Sequence, residues 1–147
     1  MSLFRLIRTV AQGADESFNQ AVAVEDADVY SPTPRQFTVL EAVQQNEGAS
    51  QTGLVEATGV DRSTLADVVR RLLKFGVLQR RRTKEDARAY AVRLTDDGEA
   101  VLKEYTPRVR AAEEAILAMV APKDRDAFVR ALKAIDEGLA VKEEANA

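Results

Sequence analysis

The chain has 147 residues, 46% hydrophobic and 31% charged, which suits one domain-sized unit with a core of its own. It contains neither cysteine nor histidine, which excludes disulfides, thiolate nucleophiles and thiol redox sensing, and removes the usual general base, transition-metal ligand and pH switch. A formal charge of −3 hides a polarised molecule: residues 61–94 hold ten basic and four acidic side chains, a charge of +6, which leaves −9 for the remainder.

No apolar run approaches the roughly 18–20 residues of a membrane span. Met1 to Arg8 is amphipathic and lacks a signal-peptide core, so the expectation is a cytoplasmic protein without a membrane partner. From Ser2 to Val24, Leu3, Leu6, Ile7, Val10, Ala14, Phe18, Ala21 and Val22 recur at helical spacing and predict a helix with one apolar stripe. Residues 25–32 break that pattern as a loop. Thr33 then caps a second helix, with Pro34 at its first position and Gln36 placed for a capping box. Phe37, Val39, Leu40 and Val43 form its apolar face, and Asn46-Glu47-Gly48 ends it. Ser50 caps a short helix over about Gln51 to Thr58, and Gly59 follows where a left-handed residue is needed.

Asp61 caps the next helix, from about Arg62 to Phe75. Leu65, Val68, Val69, Leu72, Leu73 and Phe75 gather on one side of it, and Ser63, Asp67, Arg70, Arg71 and Lys74 on the other. Gly76 stops it. A hairpin follows: Leu78 to Arg82, a polar tip Thr83 to Arg88, and a returning strand Ala89 to Leu94 in which Tyr90, Val92 and Leu94 alternate with Ala89, Ala91 and Arg93. Thr95 caps a long helix that opens with Asp96, Asp97 and Glu99 at the positive end of its dipole and runs to about Met119 or Val120, with a kink expected at Pro107. Ala121-Pro122 marks a break. A last helix spans about Lys123 to Val141, with Phe128, Leu132, Ile135 and Leu139 on one stripe and a frayed end from Lys142.

Two helices joined by a tight turn and followed by an arginine-rich hairpin suit a polyanion. The start of a second helix meets base edges in the major groove, which here means Arg62, Ser63, Thr64 and Asp67. Arg62 can donate to guanine or phosphate, Ser63 and Thr64 can serve either, and Asp67 can accept from a cytosine amine. Arg70, Arg71 and Lys74 lie further along, toward the backbone, and Ser50, Gln51 and Thr52 open a helix whose free amides suit a phosphate. At the hairpin, Arg82, Lys84 and Arg88 add charge, and Asp86 can pre-aim Arg88 toward a narrow minor groove. The blander alternative is a solvated surface helix, with hairpin cations that block edge pairing.

The order of these elements is similar to the MarR family of winged helix-turn-helix transcriptional regulators. The resemblance covers nearly the whole chain and rests on Thr33 to Leu40, Gly59 to Leu65, Leu72 to Arg80, and Asp86-Ala87-Arg88 leading into Val92 to Gly98. The fold it implies is mainly α with a small β-hairpin wing, residues 31–106 forming the winged helix-turn-helix and residues 1–30 and 107–147 a helical dimerisation region. It also implies that Asp86 orients Arg88 into the minor groove and that Arg62, Ser63, Thr64, Asp67 and Arg70 face the major groove. Pro32 and Asp67 depart from the family's pattern, the first in the loop entering the second helix, the second as an acid on a DNA-facing surface. Members that sense through cysteine or through histidine-held metals are poor guides to this chain.

The implied protein is a homodimer on a pseudopalindromic duplex operator, a repressor modulated by a small aromatic or phenolic ligand. The apolar stripes at the two ends of the chain either pack inside a monomer or pair across a two-fold axis. Phe18, Tyr30 and Arg35 stand where a ligand pocket can form, or else serve as ordinary packing and surface charge. No catalytic residues, metal site or cofactor are expected, since no Gly-rich phosphate loop, ligand cluster or nucleophile–base pair is present. The alternative to a DNA-binding regulator is a winged-helix module that binds protein without specific DNA recognition.

Overall fold

A computed structural model describes residues 1–82 and 90–146. In chain order it contains α1 (Leu3–Ala21), α2 (Pro34–Gln45), α3 (Gln51–Thr58), α4 (Arg62–Lys74), β1 (Leu78–Arg82), β2 (Tyr90–Leu94), α5 (Asp96–Leu117), a 3-10 turn (Pro122–Asp124) and α6 (Arg125–Asn146). By packing, the chain divides into two compact units, Met1–Arg110 and Ala111–Ala147.

α2, α3 and α4 each start where a side chain satisfies a first-turn amide. The Thr33 hydroxyl accepts from the Gln36 amide, and the Gln36 side chain accepts from the Thr33 amide, the reciprocal box expected from their spacing. Ser50 Oγ accepts from Gly53 N, and Asp61 accepts from Thr64 N. Gly59, at φ 68°, closes α3, and Gly76, at φ 77°, follows α4; both take the left-handed backbone that glycine tolerates. The core lies between α2, α3 and α4 and under the hairpin, where Val39, Leu40, Leu54, Leu65 and Leu72 are fully buried.

β1 and β2 form a two-stranded antiparallel ladder that pairs Leu78 with Leu94, Arg80 with Val92 and Arg82 with Tyr90. The buried residues of β2 include Ala91 as well as Val92, so the clean alternation expected of a half-buried strand does not hold there. Thr95 fastens the start of α5 to the turn after α4. Its hydroxyl donates to Gly76 O at 2.6 Å and accepts from Gly98 N, while its amide bonds to Val77 O. Gly98 sits so close that a Cβ there would lie 2.1 Å from Val77 O.

Two further expectations change. Phe75 belongs to the apolar side of α4 by its spacing, yet it is 55% exposed; it is the C-cap, past the last core turn, and its ring meets that of Tyr30 at 4.8 Å. The final helix continues to Asn146 rather than fraying from Lys142. α5 runs through Pro107 and ends at Leu117.

The apolar stripe of α1 is exposed at its N-terminal end, where Leu3, Phe4, Leu6, Ile7 and Val10 are all half-exposed or more. In the second unit, Leu132, Ile135 and Leu139 of α6 are likewise half-exposed. Among the described residues, no helix is long and apolar enough to cross a membrane.

Candidate nucleic-acid interface

The helix from Asp61 presents a polar face because 3.6-residue periodicity puts Ser63, Asp67, Arg70, Arg71 and Lys74 opposite the buried Leu65, Val68, Val69 and Leu72. Arg62, Ser63, Arg70, Arg71 and Lys74 are all exposed. Several carry local duties as well. Arg62 Nη2 donates to Thr52 Oγ1 at 3.3 Å, tying the start of α4 to the first turn of α3. Thr64 is half-buried and donates its hydroxyl to Asp61 at 3.1 Å, so that donor is spent on the cap.

Asp67 holds two arginines at once. Its Oδ1 accepts from Arg70 Nη2 at 2.5 Å, and its Oδ2 faces Arg71 Nε at 3.4 Å. The bridge goes beyond the reading of Asp67 as a base acceptor and an acid on the DNA-facing surface, although spacings of three and four on a helix are those at which side chains meet.

Ser50 spends its hydroxyl on the Gly53 amide, and beside it stand the half-buried Gln51 and the exposed Thr52. In β1, Arg80, Arg81 and Arg82 are exposed, and Arg82 continues the ladder beyond the buried Leu78. Lys84, Asp86 and Arg88 lie outside the described residues. Arg93 departs from the basic ribbon: it lines a cavity of about 200 Å³ with Gln44, Glu47, Gln79, Asp96 and Glu99, and its Nε is buried without a hydrogen-bond partner. Its charge therefore faces acidic neighbours of its own unit.

Among the described residues, Phe18, Tyr30 and Arg35 each have neighbours of their own. Phe18 packs edge-on against Phe37, with ring centroids 5.6 Å apart. The Tyr30 hydroxyl donates to Gln36 Oε1 at 2.9 Å, and its carbonyl accepts from the Tyr105 hydroxyl at 3.2 Å. Burial, with Tyr105 beside it, pushes the Tyr30 phenol far above its usual range, so the group stays protonated as a donor. Arg35 lines an open cavity, about 500 Å³, with Asp15, Thr33, Pro34, Thr38, Thr58 and Val60. The same guanidinium helps to hold Asp61 below the usual carboxylate range, after the larger effect of the Thr64 hydroxyl and amide. Among the described residues, no cluster of three potential ligands could hold a metal ion.

A family model described as the MarR family matches residues 30–89, the stretch that holds the helix-turn-helix and the first strand of the wing. The fold agrees over nearly the whole chain. The structure of the PcaV transcriptional regulator from Streptomyces coelicolor, in complex with its natural ligand, superposes with a TM-score of 0.83 at 29% identity, covering 93% of each chain. Over its helix-turn-helix the chain is similar to the MarR family. The transcriptional regulator HosA of Escherichia coli O157:H7 is 27% identical over 116 residues, 79% of this chain and 86% of HosA. The transcriptional repressor CouR, bound to a 23-mer DNA duplex, superposes with a TM-score of 0.78 at 27% identity, over 91% of this chain and 92% of CouR. Like these MarR-type relatives, the protein is a transcriptional regulator and not an enzyme.

Proposed function

We propose that the protein is a cytoplasmic, homodimeric repressor that binds a pseudopalindromic duplex operator and releases it when a small aromatic or phenolic acid binds. The observation that carries this reading is the exposed row Arg62, Ser63, Arg70, Arg71 and Lys74 on one helix, followed in the chain by the exposed Arg80, Arg81 and Arg82 of the wing. Such a row neutralises phosphates and releases counterions, while the N-terminal turn of α4 reaches base edges. Ser63, Thr64 and Asp67 face bases, Arg62 serves base or phosphate, and Arg70, Arg71, Lys74, Ser50, Gln51, Thr52, Arg82 and Lys84 hold the backbone. Arg88, aimed by Asp86, enters the minor groove. Residues 1–30 and 107–147 form the dimerisation region, whose exposed stripes supply the apolar surface that pairing needs.

The effector site is the cavity beside Arg35, which offers a guanidinium to a carboxylate within a volume suited to a small ligand. CouR was solved on DNA and PcaV with its natural ligand, which supports both halves of the reading. The test is a gel shift with the DNA upstream of the protein's own gene, run at two salt concentrations. Specific binding should weaken steeply with salt, by about −0.9 in log–log slope per neutralised phosphate. Replacing Arg88 by Ala should cost about 1–3 kcal/mol of operator affinity. Absence of specific binding at low salt would favour a protein-binding winged helix instead.

A further inference from the structure

The recognition helix carries one carboxylate in the middle of its cationic face, and both of its oxygens are engaged. Asp67 Oδ1 meets Arg70 and Oδ2 meets Arg71, with the three side chains 47–72% exposed. One negative charge is thus shared by two positive ones, and the trio presents a net +1 where the arginines alone would present +2. Pairs this exposed are weak in water, so they exchange partners readily.

We propose that Asp67 sets the sequence selectivity of the recognition helix, withholding Arg70 and Arg71 from phosphates until a base-edge amine takes their place on its carboxylate. The inference rests on the DNA-binding reading above and specifies how that interface chooses its site. In the major groove, cytosine N4 and adenine N6 present N–H donors, whereas guanine O6 and N7 and thymine O4 present acceptors. At a step with an amine, the carboxylate accepts from the base, and both guanidinium groups turn to the backbone. Where the base facing it is guanine or thymine, the carboxylate meets acceptors, is repelled and keeps its arginines, so two phosphate contacts are lost along with the base contact. A right step is thereby favoured and a wrong one penalised by the same side chain. Ser63, Asp67, Arg70, Arg71 and Lys74 share the face that makes this exchange possible.

The experiment compares the full chain with its Asp67→Asn and Asp67→Ala variants. Each is titrated against a duplex selected from random DNA by the wild type and against a scrambled duplex of equal length, at several salt concentrations. Both variants should bind the scrambled duplex about ten-fold tighter, with a log–log salt slope steeper by about one to two, as expected for one or two additional phosphates. The ratio of selected to scrambled affinity should fall, most for Asp67→Ala, and duplexes selected by that variant should lose a cytosine or adenine preference at one position in each half-site. Parallel loss of affinity on both duplexes, or an unchanged slope and ratio, would overturn the inference while leaving a selective wild type intact. A wild type that binds no duplex would overturn the DNA reading and this inference with it.

Discussion

A single missing side chain seats the long helix on the winged unit. Gly98 follows Thr95, whose hydroxyl bridges Gly76 O and the Gly98 amide, and its Cα faces the Val77 carbonyl with no room for a methyl group. A Cβ would lie 2.1 Å from Val77 O and 3.1 Å from Val77 C, both backbone atoms that cannot swing aside. Gly98→Ala should therefore destabilise the fold by about 1–3 kcal/mol, as overpacking does, despite the better helix propensity of alanine. Urea unfolding would show it as a lower midpoint at unchanged slope. Arg35 makes a second residue-scale case. If its guanidinium holds the effector, Arg35→Ala should keep operator binding at low salt yet lose release by the small acid, read as an unchanged gel shift when that acid is added.

At the scale of elements, caps define the boundaries. Thr33→Ala breaks the reciprocal box with Gln36 and should cost about 0.5–2 kcal/mol, measurable by chemical unfolding. Asp61 caps α4 through the Thr64 amide and hydroxyl, and these bonds, with Arg35 nearby, hold its carboxyl below the ordinary value of 3.8. A carboxyl depressed in the folded state stabilises fully above its unfolded value and loses that contribution as pH falls through the folded one. Thermal melting of the wild type should thus fall off below about pH 4, and Asp61→Asn should remove part of that slope.

These caps were legible because the local chemistry of Thr, Ser, Asp, Pro and Gly at fixed offsets decides where a helix starts and stops. The 3.6-residue pattern of α4 likewise showed which face is polar. Burial was harder to read wherever it depends on neighbours distant in sequence. Ala91 is covered although its place in the alternation suggested exposure, since so small a side chain is hidden or bared by the bulk around it. Phe75 is apolar and helical by spacing, yet it is half-exposed and meets the Tyr30 ring, from a loop whose path no periodicity reveals. The run beyond Lys142 looked frayed from its charge, but Glu143, Glu144 and Ala145 are good helix formers with no glycine or proline among them. Of the candidate interface, the exposed cations were legible by type and spacing, while the Arg62–Thr52 bond required the turn geometry that brings two helix starts together.

For the whole molecule, the exposed stripes are the feature that solution behaviour must answer to. Leu6, Ile7 and Val10 on α1, and Leu132, Ile135 and Leu139 on α6, are about half-exposed or more, apolar stripes that a two-fold partner would cover. Light scattering at micromolar concentration should give twice the mass of one chain. A double substitution, Val10→Asp with Leu139→Asp, should shift that mass toward a single chain and weaken operator binding, because two half-sites about 34 Å apart need two linked heads. A monomeric wild type would sink the two-fold reading.

The joint around Tyr30 has a practical corollary. The chain has no tryptophan and three tyrosines, so its near-ultraviolet emission comes from phenols alone. Two of them meet where a loop reaches α5: the Tyr105 phenol donates to the backbone carbonyl of Tyr30, whose own phenol donates to Gln36. The protein therefore carries an intrinsic optical gauge of that junction, readable without a label, and a titration with candidate acids or duplexes can be followed by the light it emits.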